Sequence, residues 1–498
     1  MIKADDISLD DELMGAQQDR PDKPEEACGV FGVYAPGEDV AKMTYFGLFA
    51  LQHRGQEAAG IATFSHQGAT LYKDMGLVTR VFNEEILQGL KGDWAVGHTR
   101  YSTTGSSRVV NAQPVLVDTP KGQIALAHNG NLVNTDALRQ ALLKRNHAFV
   151  STTDSEMIAL LMGDAVKDGM GWIDAAIDAA KCSDGAFSLV IGTPEGVIGL
   201  RDPYGVRPLV IGVLPHEDHS KLPHYVLASE TCALDILGAE YLRDVEPGEL
   251  VWIDESGLTS RRWSDAKSRK LCVFEMIYFA RPDSLMHEES LYSYRMRIGR
   301  QLAKESTTDA DIVIAVPDSG IPAAIGYSQV SGIPYAEGLI KNRYVGRTFI
   351  QPTQSMREMG IRMKLNPLKD VLQGKRVIIV DDSIVRGTTS RKIVKALRDA
   401  GATEVHMRIS SPPVTHPCFY GIDTDNQDQL IAATKSVAEI AEQIGVDSLA
   451  YLSWAGMLKS TMQPTENFCS ACFTGDYPIE IPDSIRRSKL ILEAATVG

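Results

Sequence analysis

Val377-Ile378-Ile379-Val380-Asp381-Asp382-Ser383-Ile384-Val385-Arg386-Gly387-Thr388-Thr389 is the stretch on which the fold turns. Four apolar residues in a row read as a buried strand, and the strand delivers two adjacent carboxylates to its carboxyl end. In open α/β sheets that edge is where ligands bind. A turn of small residues follows and opens a helix. Its free N–H groups around Arg386 and Gly387, with the hydroxyls of Thr388 and Thr389, suit a monophosphate. Asp381 and Asp382 suit a ribose diol, held directly or through a magnesium ion.

Outward from this point the pattern stays strand, loop, helix. Arg376–Val380 is a strand. The next helix shows Ile393, Leu397 and Ala400 on one face and stops at Gly401, and Val405–Ile409 is a further strand. Upstream, Ile312–Val316 is a strand ending in Pro317-Asp318-Ser319-Gly320, with Pro322 near the start of another helix. This alternation predicts a parallel sheet covered by helices. Between Lys341 and Lys364 the chain places Arg343, Arg347, Arg357 and Arg362 against one acid, Glu358. Six bases minus one acid give +5 in a chain of net charge -14. Beside a phosphate motif, a basic lid that closes over pyrophosphate is the expectation; Tyr344 lies in it.

The text before Cys272 differs. Short strands at Gly29–Tyr34, Trp94–His98, Ile124–His128, Phe187–Gly192 and Tyr225–Ser229 alternate with helical patches such as Ser155–Met162. That helix follows a T-x-x-E capping box at Thr153 and Glu156. A mixed α+β domain is expected from 28 to 258, a basic linker from 259 to 271, a second domain from 272 to 475 and a tail from 476 to 498. Residues 1–27 hold nine acids against three bases and few large apolar side chains, which reads as a leader. It lacks the apolar core of a secretory signal. The overall negative charge argues against a general nucleic-acid binder, and no apolar run reaches the roughly 18 residues of a membrane span. Seven cysteines in so long a chain, without a signal peptide, point to a reducing, cytoplasmic setting.

Cys28 directly follows the leader. Cleavage before it would put an α-amine beside the thiol, and that amine titrates near pH 7.7–8.0, low enough to act as general base. Arg100 offers a planar fork for an α-carboxylate, and Asp154 a partner for an α-ammonium. Asn129 and the Gly130 N–H could form an oxyanion hole. Each has a plain structural alternative: a salt bridge for Arg100, a helix N-terminus for Asp154, a hairpin turn for Asn129-Gly130.

Combination and order decide between these readings. Cys28-Gly29-Val30-Phe31-Gly32, Leu51-Gln52-His53-Arg54-Gly55-Gln56-Glu57, His98-Thr99-Arg100-Tyr101-Ser102-Thr103, His128-Asn129-Gly130-Asn131-Leu132 and Arg201-Asp202-Pro203-Tyr204-Gly205 resemble the class II glutamine amidotransferases. The segment around Asp381–Thr389 resembles the signature of type I phosphoribosyltransferases. The whole is similar to the glutamine phosphoribosylpyrophosphate amidotransferase family, which opens purine synthesis. That resemblance implies an N-terminal-nucleophile domain, two β-sheets between layers of helices, ahead of a parallel-sheet phosphoribosyltransferase domain. It implies glutamine and phosphoribosyl pyrophosphate as substrates, magnesium near Ser319, Asp381 and Asp382, and substrate contacts from Tyr344 and Lys364. It also implies purine nucleotides as feedback inhibitors, and a homotetramer. Many relatives begin at Met-Cys, whereas 27 residues precede Cys28 here.

Cys469 and Cys472 form a CxxC pair, with Cys272 and Cys418 as possible partners. Four thiolates suit a structural zinc or a [4Fe–4S] cluster, and spacing alone favours zinc. A thioredoxin-like pair is disfavoured, since the CxxC reads as distant from any strand-to-helix start. The surroundings Cys272-Val273-Phe274-Glu275 and His416-Pro417-Cys418-Phe419-Tyr420-Gly421 resemble the iron–sulfur branch of the family. Cys182 and Cys232 have no motif context.

Overall fold

The computed structural model describes residues 28–65, 67–101, 108–215, 222–265, 268–342, 365–422, 424 and 427–482. The leader, the basic stretch with Tyr344 and Lys364, and the tail from 483 lie outside the described residues. No helix among the described residues is long and apolar enough to cross a membrane.

Two antiparallel sheets make the first half. The seven-stranded sheet has Gly29–Tyr34 near its centre, between His224–Ala228 and Trp94–Arg100. Every residue of Gly29–Tyr34 is buried, because both faces of the strand are covered. The six-stranded sheet has Gly122–Leu132 between Val115–Thr119 and Gly185–Thr193. Val30, Phe64, Trp94 and Val96 of the first sheet meet Ala125, Ala127, Val190 and Val251 of the second in one apolar layer. Helices cover the outer faces: Val40–Ala50 on the first sheet, and Thr135–Lys144, Asp154–Lys167 and Trp172–Cys182 on the second. This is the expected sandwich of two sheets between helices.

Two sequence readings need correction here. The last strand of the second sheet, Gly257–Arg262, pairs fully with Glu249–Asp254, so the sheet extends four residues into the stretch expected as linker. The Thr153–Glu156 capping box does not form. Thr153 Oγ1 bonds to Ser151 Oγ at 2.9 Å, and Glu156 accepts from Val150 N at 2.8 Å and Ser151 N at 2.7 Å. The acid instead ties the loop before the helix to its first turn.

The second half is a parallel sheet in sequence order: Ile312–Ala315, Arg376–Asp381, Glu404–Ile409, Ser448–Tyr451. Leu291–Glu305 and Ile321–Ser331 cover one face, and Thr388–Asp399 with Val437–Ile444 the other. Pro322 stands in the first turn of its helix, where its missing N–H costs no hydrogen bond. A separate apolar cluster joins the halves: Val133, Ala186 and Val206 from the first pack with Cys272, Phe274, Val385, Phe419 and Tyr420 from the second.

Candidate active sites

Cys28 stands at the head of the central strand, where Gly29 faces Thr99. The thiol is buried and donates to Tyr101 O at 3.5 Å. Burial pushes its pKa up to about 12, with Asp154 and Glu57 adding to the rise and Arg100 and Arg54 opposing it. The structure therefore gathers Cys28, Arg100 and Asp154 within one electrostatic neighbourhood. At neutral pH this thiol is uncharged, so attack on an amide requires a base to take its proton.

Asp154 is the first residue of Asp154–Lys167, and its Oδ2 accepts from Leu132 N at 3.0 Å. Burial works to raise its pKa. The His128 ring, 3.6 Å away, and the N–H donors outweigh that and hold the carboxyl below its usual range. Arg100 ends Trp94–Arg100 and is buried. Asn129 and Gly130 are not a hairpin turn; they sit in the eleven-residue strand Gly122–Leu132, opposite Ser188 and Phe187. Ile124 and Leu126 face the helices while Ala125 and Ala127 face the first sheet. By this alternation Asn129 points toward the sheet that carries Cys28. Its amide is fully buried, and neither Nδ2 nor Oδ1 has a hydrogen-bond partner among the described residues. A buried donor left unpaired costs about 1–3 kcal/mol, so such a group marks a place where something binds. Gly130 has φ 148°, and a Cβ there would lie 1.9 Å from Ala186 O, so only glycine fits.

The sequence reading missed a buried ion group beside Cys28. Arg54 Nε donates to Cys28 O at 3.2 Å, Nη1 to Glu230 Oε1 at 2.5 Å and Nη2 to Glu275 Oε1 at 2.7 Å. Arg207 Nη1 shares Glu275 Oε1 at 3.0 Å. The surrounding carboxylates hold Arg54 charged despite complete burial. One signal was available: Glu275 is a lone acid within Val273–Phe279, otherwise apolar. An acid buried in such a run needs a cation, and nothing local supplies it.

In the second half, Asp381 ends its strand as expected, and both acids are buried at the sheet edge. Asp382 N donates to Asp381 Oδ1 at 2.9 Å, and Ser383 Oγ to Asp382 Oδ1 at 2.7 Å. Ser319 Oγ donates to Asp382 Oδ2, so the loop after Ile312–Ala315 meets the acid pair. Gly387, with φ 79°, precedes the helix Thr388–Asp399, where Thr388 is exposed and Thr389 half-buried. Arg386 turns aside: its Nε donates to Gln429 Oε1 at 3.1 Å. Lys341, at the edge of the basic stretch, pairs with Asp318 at 2.7 Å.

The four cysteines of the proposed metal set also come together. Leu271–Cys272 and Phe468–Cys469 pair as parallel strands, with Cys272 opposite Cys469. Burial pushes the Cys272 thiol up to about 11, and burial with the charges of the other three raises Cys472 well above its usual range. Tyr420 N donates to Cys418 Sγ at 3.4 Å. Among the described residues no group of three or more His, Cys, Asp or Glu closes tightly enough to hold a metal ion. The CxxC does lie at a strand-to-helix start, because Ala471–Thr474 follows Phe468–Cys469 directly. That removes the positional argument against a redox pair.

Two family models match the chain: a glutamine amidotransferase domain over residues 98–235 and a phosphoribosyl transferase domain over residues 290–410. The amidophosphoribosyltransferase of Synechococcus elongatus is 69% identical over 478 residues, 96% of each chain. That of Bacillus subtilis is 48% identical over 469 residues, 92% of this chain and 95% of the other. A solved structure of the glutamine phosphoribosylpyrophosphate amidotransferase of B. subtilis, complexed with ADP and GMP, superposes with TM-score 0.85 at 48% identity. It covers 93% of this chain and 100% of the other.

Proposed function

This chain belongs to the amidophosphoribosyltransferase family, and from that membership we propose which of its residues carry each half of the reaction. The reaction releases ammonia from glutamine and uses it to displace pyrophosphate from phosphoribosyl pyrophosphate, giving 5-phosphoribosylamine for purine synthesis. In the first half Cys28 is the nucleophile. Removal of residues 1–27 frees its α-amine, which takes the thiol proton and passes it to departing ammonia. Arg100 binds the substrate carboxylate and Asp154 its ammonium. Asn129 Nδ2 and the Gly130 N–H stabilise the oxyanion, and the unpaired amide of Asn129 is the observation that carries this assignment. Water then cleaves the thioester to glutamate.

In the second half, Gly387, Thr388 and Thr389 hold the 5-phosphate, joined by Arg386 if its guanidinium leaves Gln429. Asp381 and Asp382 hold the ribose. Two buried carboxylates with the Ser319 hydroxyl against one of them are a fitting oxygen set for magnesium. That ion would neutralise charge on the pyrophosphate. Tyr344 and Lys364 are proposed as substrate contacts from the family resemblance. Ammonia and phosphoribosylamine are both lost easily to water, which favours a closed path between the sites.

The four cysteines are the proposed ligands of a [4Fe–4S] cluster: their sulfurs are soft donors, they share one apolar cluster, one receives a backbone N–H, and the Arg207 cation acts to lower the Cys272 thiol pKa. Zinc is the alternative occupant. Purine nucleotides are the proposed feedback inhibitors, in keeping with the ADP and GMP bound to the B. subtilis relative. A cytoplasmic homotetramer completes the reading.

Cys28→Ala, in a chain lacking residues 1–27, tests the division of labour. Glutamine-dependent synthesis should vanish, while free ammonia at raised pH should still be converted, because no part of the phosphoribosyl site uses that sulfur. Residual glutamine-dependent activity would refute the nucleophile. Loss of the ammonia reaction in a folded variant would refute the separation of sites.

A further inference from the structure

The strand that carries Asn129 and Gly130, together with the Arg207 side chain, is gripped from the other half of the chain by three consecutive residues. Phe419 O accepts from Asn131 Nδ2 at 3.0 Å. Tyr420 O accepts from Arg207 Nε at 2.9 Å and from Arg207 Nη2 at 2.7 Å. Gly421 adopts φ 103°, and a Cβ there would lie 3.1 Å from both C and O of Gly130. Asn131, Arg207, Phe419 and Tyr420 are all buried, so water does not cushion these contacts. The other flank of Gly130 is tighter still, at the 1.9 Å that separates an added Cβ from Ala186 O. Gly130 is therefore held between the neighbouring strand Gly185–Thr193 and Gly421.

Oxyanion donors act only within a narrow range, about 2.7–3.1 Å from the developing charge, so a shift of a few tenths of an ångström in this peptide matters. The geometry points to Gly421 as a positioning residue of the glutaminase site: by having no Cβ and by accepting a positive φ, it packs against the Gly130 carbonyl and so fixes the backbone torsions of Gly130, through which the N–H on the preceding peptide is aimed. This rests on the assignment of Asn129 and Gly130 above, and it does not depend on what the cysteines bind. A glycine so distant in sequence from the glutamine half thus becomes part of its precision.

Gly421→Ala, in the full enzyme without residues 1–27, tests this. The added methyl must crowd Gly130 and Arg207 Nη2, each 3.1 Å from its position, or strain its own backbone. The kcat for glutamine hydrolysis should fall about 10- to 100-fold, less than the loss of a whole donor. KM for glutamine should stay within about twofold, since Arg100 and Asp154 hold the amino-acid end. Ammonia-dependent synthesis should be unchanged. Alkylation of Cys28 by iodoacetamide should also keep its rate: the thiol sulfur displaces iodide and builds no oxyanion. Asn131→Ala, which removes the anchor on Phe419 O without crowding, should lower the same kcat and serves if Gly421→Ala does not fold. Unaltered glutamine turnover in these variants, or alkylation falling in step with turnover, would overturn the inference. Asn129→Ala separates the two levels. If it leaves glutamine hydrolysis intact, the oxyanion assignment itself fails; if it abolishes hydrolysis while Gly421→Ala and Asn131→Ala leave turnover unaltered, only the role of Gly421 fails.

Discussion

A thiol whose pKa is pushed to about 12 by burial cannot reach its thiolate unaided near neutrality, so the catalytic pH dependence must belong to another group. The α-amine of Cys28 titrates near pH 7.7–8.0. Glutamine hydrolysis should accordingly rise through about pH 8 and then level off, well short of the thiol's own titration. A chain retaining residues 1–27 should show no such rise and little hydrolysis, and N-terminal sequencing of active enzyme that found the leader intact would sink the base assignment. His98 gives a stability counterpart. Burial lowers its pKa from 6.5 to about 3, although its Nε2–H donates to His128 O, 3.1 Å away. Above pH 6.5 the residue is neutral folded or unfolded and contributes no pH dependence. Below that, the unfolded chain takes a proton that the folded one refuses, so stability falls by at most about 1.4 kcal/mol per pH unit until about pH 3. His98→Asn should flatten that acid limb between pH 6.5 and 4 in urea unfolding; an unchanged slope would place the titrating group elsewhere. Cys28, Arg100 and Asn129 stand in an ordered set of motifs, and Asp154 was singled out for its charge. Arg54, Glu275 and Gly421 lie in stretches that also resemble the family, but their contacts were not legible, because these depend on partners in the other half of the chain.

Elements were legible where one short stretch contains its own reason. The strand Arg376–Asp381, its acid pair and the helix from Thr388 are fixed by a local order of apolar, acidic and small residues, and the structure keeps that order. The strand Gly122–Leu132 was less legible: Asn-Gly is a turn signal by itself, and only its pairing with Ser188 and Phe187 of the neighbouring strand holds the dipeptide in extended structure. The edge strand Gly257–Arg262 is polar along its length, so nothing in composition separates it from a linker until Glu249–Asp254 offers hydrogen bonds. The acid pair gives the test at this scale. Asp381→Asn and Asp382→Asn should each cut synthesis about 100-fold, and equally with glutamine or ammonia as donor, since both donors meet the same sugar. Glutamine hydrolysis should persist. Normal synthesis in both variants would remove these carboxylates from the ribose site.

At the scale of the whole molecule, the two halves are joined by one apolar cluster that contains Cys272, Cys418, Cys469 and, at its edge, Cys472. Those cysteines come from three distant stretches of the second half, and the same cluster includes Val133, Ala186 and Val206 from the first. A metal group bound by all four would tie segments that random coil holds far apart. In chain-entropy terms a cross-link over a loop of a hundred residues or more is worth about 5 kcal/mol. For a domain of this size each kcal/mol moves the unfolding midpoint by about 2–4 °C. Cys469→Ser and Cys472→Ser should therefore lose iron and about 10–20 °C of thermal stability together. Anaerobically purified wild-type protein should be brown and carry about four irons per chain. Stoichiometric zinc in that preparation would keep the tetrathiolate and change the metal. Variants that keep both their iron and their unfolding midpoint would show that these thiols are not ligands, and that the junction is held by its apolar side chains, its hydrogen bonds and the Arg54–Glu275–Arg207 ion group.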